Sequence, residues 1–282
     1  MYVAEKLIFV ELHKTGGTHI GKWLSELAPG EQVGKHNRVP TSLRDRFVIG
    51  SVRNPWDWYV SLWGYGCDGR GAVYHAVTRG LSLRYLLRQL GSEMGAVGYP
   101  ARAMMRQALA DVQRPVARWR AVYRDSNNAE AFRDWLHLLM DNERRFDCAE
   151  GFGFSPISRW GGLLTYRYLK LFTSLDARIY NDPALGSLES AQIALSETRL
   201  VQHVIRMETL EDDLLEAVSR AGYSPSHDQR AAVLQARSAK TNTSSRRPAS
   251  FYYDAATIAL VQERESLIIT EHGYRSPTSG DA

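Results

Sequence analysis

The feature that most constrains the fold is a short apolar run that leads through a glycine turn directly into a helical pattern. Residues 6–12 are almost continuously apolar, which is typical of a strand buried on both faces of a parallel sheet. The turn HKTGGT follows at residues 13–18. An apolar stripe with the helical spacing i, i+3, i+4 and i+7 comes next, at Ile20, Trp23, Leu24 and Leu27. The segment therefore predicts a strand, a tight turn and an amphipathic helix.

Two further segments repeat this order. The buried-strand run FVIGSV at 47–52 leads into Asn54-Pro55, a helix cap followed by proline at the first helical position. A strand pattern returns at 203–208, and after it Thr209 is expected to cap a helix that Gly222 ends. Strands that alternate with helices predict an α/β fold, here with three layers and a central parallel sheet.

The middle of the chain has a different pattern. Helical periodicities recur there at about 81–90, 101–111 and 129–141. We therefore predict one domain over residues 1–282, with an α/β core at 1–65 and 166–282. A mostly helical insertion at about 66–165 would form a cap that faces the substrate.

Composition excludes several classes of protein. The 282 residues are 44% apolar and 23% charged, which is ordinary for a soluble globular protein. The net charge of +4 and a pI near 9.0 suit an anionic small ligand or an acidic glycan, but the excess is too small to predict nucleic-acid binding. No apolar run approaches the roughly 20 residues of a membrane span, and the N-terminus lacks the pattern of a signal peptide. With only Cys67 and Cys148, in no metal-binding spacing, we expect a cytoplasmic protein.

The HKTGGT turn has the composition of an anion site. Gly16 and Gly17 allow the backbone to approach a ligand closely, and the amides of residues 15–18 then point toward one spot at the start of the helix. Lys14 adds a full positive charge beside them. This lysine precedes the glycines, whereas in the phosphate loop GxxxxGK[ST] it follows them. An ordinary strand–helix turn with two glycines is the alternative that these residues leave open.

The turn resembles the loop that binds 3′-phosphoadenosine 5′-phosphosulfate (PAPS) in PAPS-dependent sulfotransferases. That loop is commonly written PKTGGTS or PKSGTTW, and here His13 stands in place of the usual proline. The resemblance implies the P-loop-NTPase-like fold of sulfotransferases, with Lys14 at the sulfuryl group and His19 against the adenine. The 5′-phosphate would be cradled by Thr15, Gly16, Gly17 and Thr18.

A second motif resembles the 3′-phosphate site of the same family, in which a strand ends in arginine and a serine follows eight positions later. The segment SVRNPWDWYVSLW has Arg53 and Ser61 at that spacing. Arginine can hold a phosphate through two parallel hydrogen bonds, and open α/β sheets bind ligands at the carboxyl ends of their strands. On the predicted helix Ser61 lies opposite the core-facing stripe, which consists of Trp56, Tyr59, Val60 and Trp63. A helix cap with a surface arginine is the alternative.

The segment GKHNRVP at 34–40 supplies a candidate base, His36. It resembles a KTHLP segment that contains the catalytic base of cytosolic-type sulfotransferases. An imidazole titrates near neutral pH and can take the proton from an acceptor hydroxyl. An exposed loop histidine is the alternative, and some relatives use a carboxylate as the base instead.

A polar stretch, KTNTSSRRPAS at 240–250, has the composition of a flexible linker. It also resembles a basic loop that precedes a YY-containing helix in sulfotransferases, and a last helix is predicted here from Asp254 to His272. The resemblance implies a lid over the nucleotide. Its phosphate-facing cations would be Lys240, Arg246 and Arg247.

Together these motifs predict sulfuryl transfer from PAPS to a hydroxyl, or to an amine, of a carbohydrate or small-molecule acceptor. Attack would be in line, with His36 as the base and with Lys14 and the turn amides stabilising charge on the bridging oxygen. The product would be adenosine 3′,5′-bisphosphate (PAP). No metal ion is expected, because the sequence has neither a phosphate-loop Ser/Thr nor a convincing Mg²⁺-binding acid. A nucleotide kinase or NTPase of related fold and a non-catalytic PAP-binding module are the alternatives.

Overall fold

The computed structural model describes residues 1–80, 101–148, 150–237 and 247–277. Its residues form two compact units. The sheet unit consists of the described residues of Met1–Asn54, Arg167–Asp176 and Leu195–Ser245. The helical unit consists of the described residues of Pro55–Tyr166, Ala177–Ala194 and Arg246–Ala282. The helical unit therefore begins earlier than the predicted insertion, and the single-domain organisation stays a prediction.

The sheet unit contains one five-stranded mixed sheet in the order β3-β1-β2-β4-β5. Strands β2, β4 and β5 are parallel, and β1 pairs antiparallel with both β2 and β3. The α/β class is confirmed, and the three predicted strands are the three parallel ones. The strands are β1 (Tyr2–Ala4), β2 (Leu7–Val10), β3 (Gly30–Gln32), β4 (Phe47–Val52) and β5 (His203–Arg206).

The sheet is mixed rather than wholly parallel, because β1 and β3, which the sequence analysis missed, add antiparallel pairs to the parallel strands. Only Glu5 and Lys6 separate β1 from β2, and so short a connection joins antiparallel strands only, since a parallel pair needs a crossover of a dozen residues or more. All three residues of β3 are exposed, so that strand has no apolar pattern to detect.

Several predicted helices are confirmed, among them those at 101–111 and 129–141, whereas the pattern at 81–90 lies outside the described residues. None of the described helices is long and apolar enough to cross a membrane. The α-helices are α1 (Gly17–Leu27), α2 (Pro55–Cys67), α3 (Ala72–Thr78), α4 (Ala101–Gln113), α5 (Val116–Ala121), α6 (Ala129–Met140), α7 (Leu163–Phe172), α8 (Arg178–Asn181), α9 (Leu188–Thr198), α10 (Leu210–Arg220), α11 (His227–Gln235), α12 (Ala249–Tyr252), α13 (Ala255–Arg264) and α14 (Ser266–His272).

The core of the sheet unit forms where α1 and α10 cover the sheet. The predicted stripe of α1 is buried and joins Leu7, Phe9 and Ile49 of the strands with Leu214 and Val218 of α10. Burial of such a face, rather than helix propensity, stabilises helices of this length.

The start and end of α10 differ slightly from the prediction. Thr209 does precede the helix, but its hydroxyl donates to Asp213 at 2.9 Å and makes no capping bond. Gly222 ends the helix as predicted, with φ 84°.

Helix α2 opens the helical unit and is buried on almost every side. Trp58, Ser61 and Leu62 are buried together with the four predicted core residues. The prediction of one buried stripe opposite a polar face is therefore wrong, because neighbouring helices surround α2. For example, Trp63 Nε1 donates to the Val122 carbonyl at 2.9 Å.

The last predicted helix is divided into two at Glu265. Asp254 caps α13, and Gly273, with φ 65°, ends α14, as the sequence predicts. Glu265 is fully buried and accepts hydrogen bonds from the Leu164 amide at 3.2 Å and the Thr165 amide at 2.8 Å. Burial raises the pKa of the Glu265 carboxyl, and these donors oppose the rise.

Candidate functional site

The three parallel strands of the sheet unit end at one edge of the sheet. Val10 of β2 is paired with Gly50 of β4, and Val52 of β4 is paired with Arg206 of β5. Arg53 and the Met207–Thr209 segment follow β4 and β5 directly, and the HKTGGT turn begins three residues after the last residue of β2. Open α/β sheets bind their ligands at this edge, so the structure brings two of the predicted motifs to the expected place.

The glycine turn, residues 13–18, enters α1 through a left-handed residue. Gly16 has φ 77°, and its carbonyl accepts from the amides of His19 at 2.9 Å and Ile20 at 3.0 Å. Within the described part of the chain, the amides of residues 15–18 donate no hydrogen bond. These amides at the start of a helix are therefore available to an anion.

Internal packing explains both glycines of the turn. A Cβ on Gly16 would lie 2.4 Å from Met207 Sδ, and one on Gly17 would lie 2.3 Å from Glu11 Cγ. Neither position can hold a side chain without displacing its neighbour. Together with the φ of 77° at Gly16, this close packing gives the glycines a structural role that needs no ligand, which the sequence analysis did not recognise.

The Thr15 side chain has a structural role. It is fully buried, its Oγ1 donates to the Leu12 carbonyl at 2.7 Å, and it shares a hydrogen bond of 2.7 Å with Ser51 Oγ of β4. Only the Thr15 amide could therefore contribute to the predicted phosphate cradle. The Thr18 side chain is exposed.

Two of the predicted site residues have strained backbones. Lys14 has φ 63° and His36 has φ 56°, and the other non-glycine residues with positive φ in the described ranges are Glu150 and Asp176. Such conformations cost about 1–3 kcal/mol each and concentrate at functional sites. The two residues predicted to do the chemistry thus share a feature that the sequence did not reveal.

His36 contacts the chain just before the glycine turn and at its first residue. Its Nδ1 is 2.9 Å from the backbone carbonyl of Glu11, three residues before Lys14. A carbonyl oxygen only accepts, so Nδ1 carries the hydrogen and the neutral ring has its lone pair on Nε2. The His36 ring also stacks on His13, with ring centroids 3.4 Å apart and planes inclined by 14°. The His36 ring therefore lies against His13, the residue that precedes Lys14.

Glu11 is a further site residue that the sequence analysis missed. Only 7% of it is exposed, and its carboxylate lies against Gly17. Burial lowers the pKa of the Met1 ammonium, while the Glu11 charge acts to raise it. The sequence does contain a signal for Glu11, because it is an acidic residue at the end of an otherwise apolar run.

Arg53 follows β4 and is half-buried. It makes no hydrogen bond or ion pair with any residue that the structure describes. The next residue is anchored, because the Asn54 amide donates to Glu208 Oε1 at 2.8 Å. Ser61 belongs to the helical unit and is only 5% exposed, so its expected position on a polar helix face is wrong.

His19 is half-buried on α1, one turn from Trp23. Trp23 Nε1 donates to His19 Nε2 at 3.2 Å, which requires a lone pair on that nitrogen. Glu211 Oε1 lies 3.8 Å from the same atom. The role of His19 at an adenine stays a prediction.

The cations of the 240–250 loop are only partly described. Lys240 and Arg246 lie outside the described residues. Arg247 is exposed in the helical unit, and its guanidinium lies 4.9 Å from the centre of the Phe251 ring. Contacts of these cations with a nucleotide stay a prediction.

The described residues contain no group of three His, Cys, Asp or Glu side chains that could hold a metal ion. No protein-family model, curated protein or solved structure matches the chain. The functional inference therefore depends on the geometry of the site and on its motifs.

Proposed function

We propose that this protein is a PAPS-dependent sulfotransferase that transfers a sulfuryl group to a hydroxyl, or to an amine, of a carbohydrate or small-molecule acceptor. The observation that carries the proposal is the hydrogen bond of 2.9 Å from His36 to the Glu11 carbonyl, since it holds a base beside the Lys14 turn. We also propose a P-loop-like sulfotransferase fold, which the parallel order of β2, β4 and β5 supports.

In the proposed reaction the acceptor oxygen attacks sulfur in line with the bridging oxygen of PAPS. A new S–O bond forms to the acceptor while the S–O bond to the 5′-phosphate breaks, and PAP leaves with the electron pair. His36 Nε2 takes the acceptor proton, and a hydrogen on Nδ1 suits this role because it leaves the lone pair on Nε2. For an amine acceptor the same nitrogen would take the N–H proton.

Lys14 and the turn amides would stabilise the leaving phosphate. Negative charge grows on the bridging oxygen as the S–O bond breaks, and preorganised N–H donors with a cation lower that cost. The strained φ of 63° at Lys14 is consistent with a backbone held for this task.

The 3′-phosphate would be bound by Arg53. A half-buried guanidinium at the carboxyl end of a parallel strand can make a bidentate contact with a phosphate. Under this proposal His19 also contacts the nucleotide, at its adenine.

Calorimetry with PAP and with ATP·Mg²⁺ tests the nucleotide specificity. We expect PAP to bind without metal and ATP·Mg²⁺ to bind far more weakly. Tighter binding of ATP·Mg²⁺ would instead favour the kinase or NTPase alternative. PAP binding without transfer to any acceptor would favour the non-catalytic module.

Transfer from radiolabelled PAPS tests the catalytic assignment, with acceptors grouped as glycans, phenols and lipids. We expect Lys14→Ala to lower kcat by about 100- to 1,000-fold, as loss of one oxyanion donor does elsewhere. Lys22→Ala is the matched control, because Lys22 is an exposed lysine on α1, the helix that follows the turn. Equal activity of the two variants would refute the role of Lys14.

A further inference from the structure

The stack of His13 on His36 is not explained by the proposed reaction itself. His13 stands where the resembling loops have proline, so the stacked pair departs from the pattern that the resemblance implies. Both rings are half-buried in the sheet unit. The centroid distance of 3.4 Å and the inclination of 14° mean that the ring faces are in direct contact.

Two restraints of different direction act on the His36 ring. The hydrogen bond from Nδ1 to the Glu11 carbonyl lies in the plane of the ring and fixes one edge. With that bond alone, the ring could still rotate about the line from Nδ1 to the carbonyl oxygen. Contact with the face of His13 opposes this tilt, so the two restraints together fix both the direction and the plane of the imidazole.

We propose that His13 is a positioning residue, whose ring is the platform that holds His36 with its hydrogen on Nδ1 and its lone pair on Nε2. This inference rests on the proposed function, because only that function uses the lone pair on Nε2 as a base. Catalysis is sensitive to such placement, because a displacement of about 1 Å can lower a rate about 100-fold. The backbone strain at His36, with φ 56°, is a further sign that its position is held by its surroundings.

The test compares His13→Ala, which removes the platform, with His13→Phe, which keeps an aromatic face without imidazole chemistry. Nitrogen chemical shifts of the His36 ring report which nitrogen carries the hydrogen, and they do not require enzyme activity. We expect the Nδ1–H form in the wild type and in His13→Phe, and a mixture of both forms in His13→Ala. In the transfer assay we expect His13→Ala to lower kcat about 10- to 100-fold with the KM for PAPS unchanged, and His13→Phe to stay within about threefold of the wild type.

Two outcomes would overturn the proposal: a wild-type ring spectrum in His13→Ala, or equal loss of kcat in both variants. PAP affinity and circular dichroism verify that each variant is folded. If His13→Ala does not fold, His13→Gln takes its place in the test. If the wild type transfers no sulfate, the proposed function fails. The ring spectra then still decide whether His13 positions His36.

Discussion

Substitution of Gly50 by alanine should destabilise the sheet unit. Gly50 lies inside β4, where it pairs with Val10 of β2 and Val204 of β5. A Cβ at this position would lie 2.4 Å from Phe172 Cζ and 2.8 Å from both Cε atoms of that ring. The edge of the ring is therefore directed at the strand backbone, in space that a side chain would need.

The size of the effect follows from these distances. Carbon atoms in contact lie about 3.5–4.0 Å apart, so the strand or the ring must move by about 1 Å. Phe172 is only 1% exposed and has little room to move. Adding one methyl group to a filled core costs about 1–3 kcal/mol. We expect Gly50→Ala to lower the free energy of unfolding by that amount.

Urea denaturation followed by circular dichroism measures the change, and a double-mutant cycle assigns its cause. Phe172→Leu removes the ring, so Gly50→Ala should cost little in that background, with a coupling of about 1–3 kcal/mol. Gly80→Ala is the matched control, because a Cβ there meets no atom of the described residues within 4 Å. If Gly50→Ala and Gly80→Ala are equally stable, the steric argument is wrong.

Four further predictions concern the site and the helical unit. Arg53→Ala should weaken PAP binding about 10- to 100-fold in calorimetry, because it removes the free energy of one charge-assisted hydrogen bond. The control Arg70→Ala, which removes an exposed arginine, should leave the affinity for PAP unchanged. Equal affinities of the two variants would exclude Arg53 from the phosphate site. Sulfate transfer should persist in EDTA, and activity that a chelator abolishes and Mg²⁺ restores would contradict the mechanism. Thr15→Val should lower the free energy of unfolding by about 1–3 kcal/mol, because it removes two buried hydrogen bonds. The control is Thr18→Val at an exposed position, and an equal loss of stability in that variant would refute the role of the two hydrogen bonds. Glu265→Gln should lower the free energy of unfolding by about 1–3 kcal/mol, measured by urea denaturation. Each carboxylate oxygen of Glu265 accepts a hydrogen bond from a backbone N–H group, and the NH₂ group of glutamine cannot accept one. An unchanged denaturation midpoint would contradict this prediction.

Local patterns were sufficient to predict the elements around the site. The apolar run before HKTGGT predicted β2, the run FVIGSV predicted β4 with its bounds, and the periodic residues predicted the buried face of α1. These predictions succeed because each element leaves a local signal in the chain: a continuous apolar run for a strand buried on both faces, and a period of about 3.6 residues for an amphipathic helix. The antiparallel strand β3 leaves no such signal, because all its residues are exposed.

Chemistry at the glycine turn was visible in the sequence only as residue types. The chain shows a lysine, two glycines and a histidine some twenty residues later, but their mutual positions depend on how separate loops meet at one sheet edge. Only the folded chain joins His36 to the Glu11 carbonyl and stacks it on His13. It also shows that the glycines pack closely against the side chains of Met207 and Glu11.

Local apolar patterns thus identified which segments are strands and helices, because such a signal lies within about ten neighbouring residues. Partners that are distant along the chain were decided by tertiary structure. The burial of Ser61 depends on helices that surround α2, and the bond from Thr15 to Ser51 spans 36 positions. Such contacts arise only when separate elements pack together, so no local pattern in the chain encodes them.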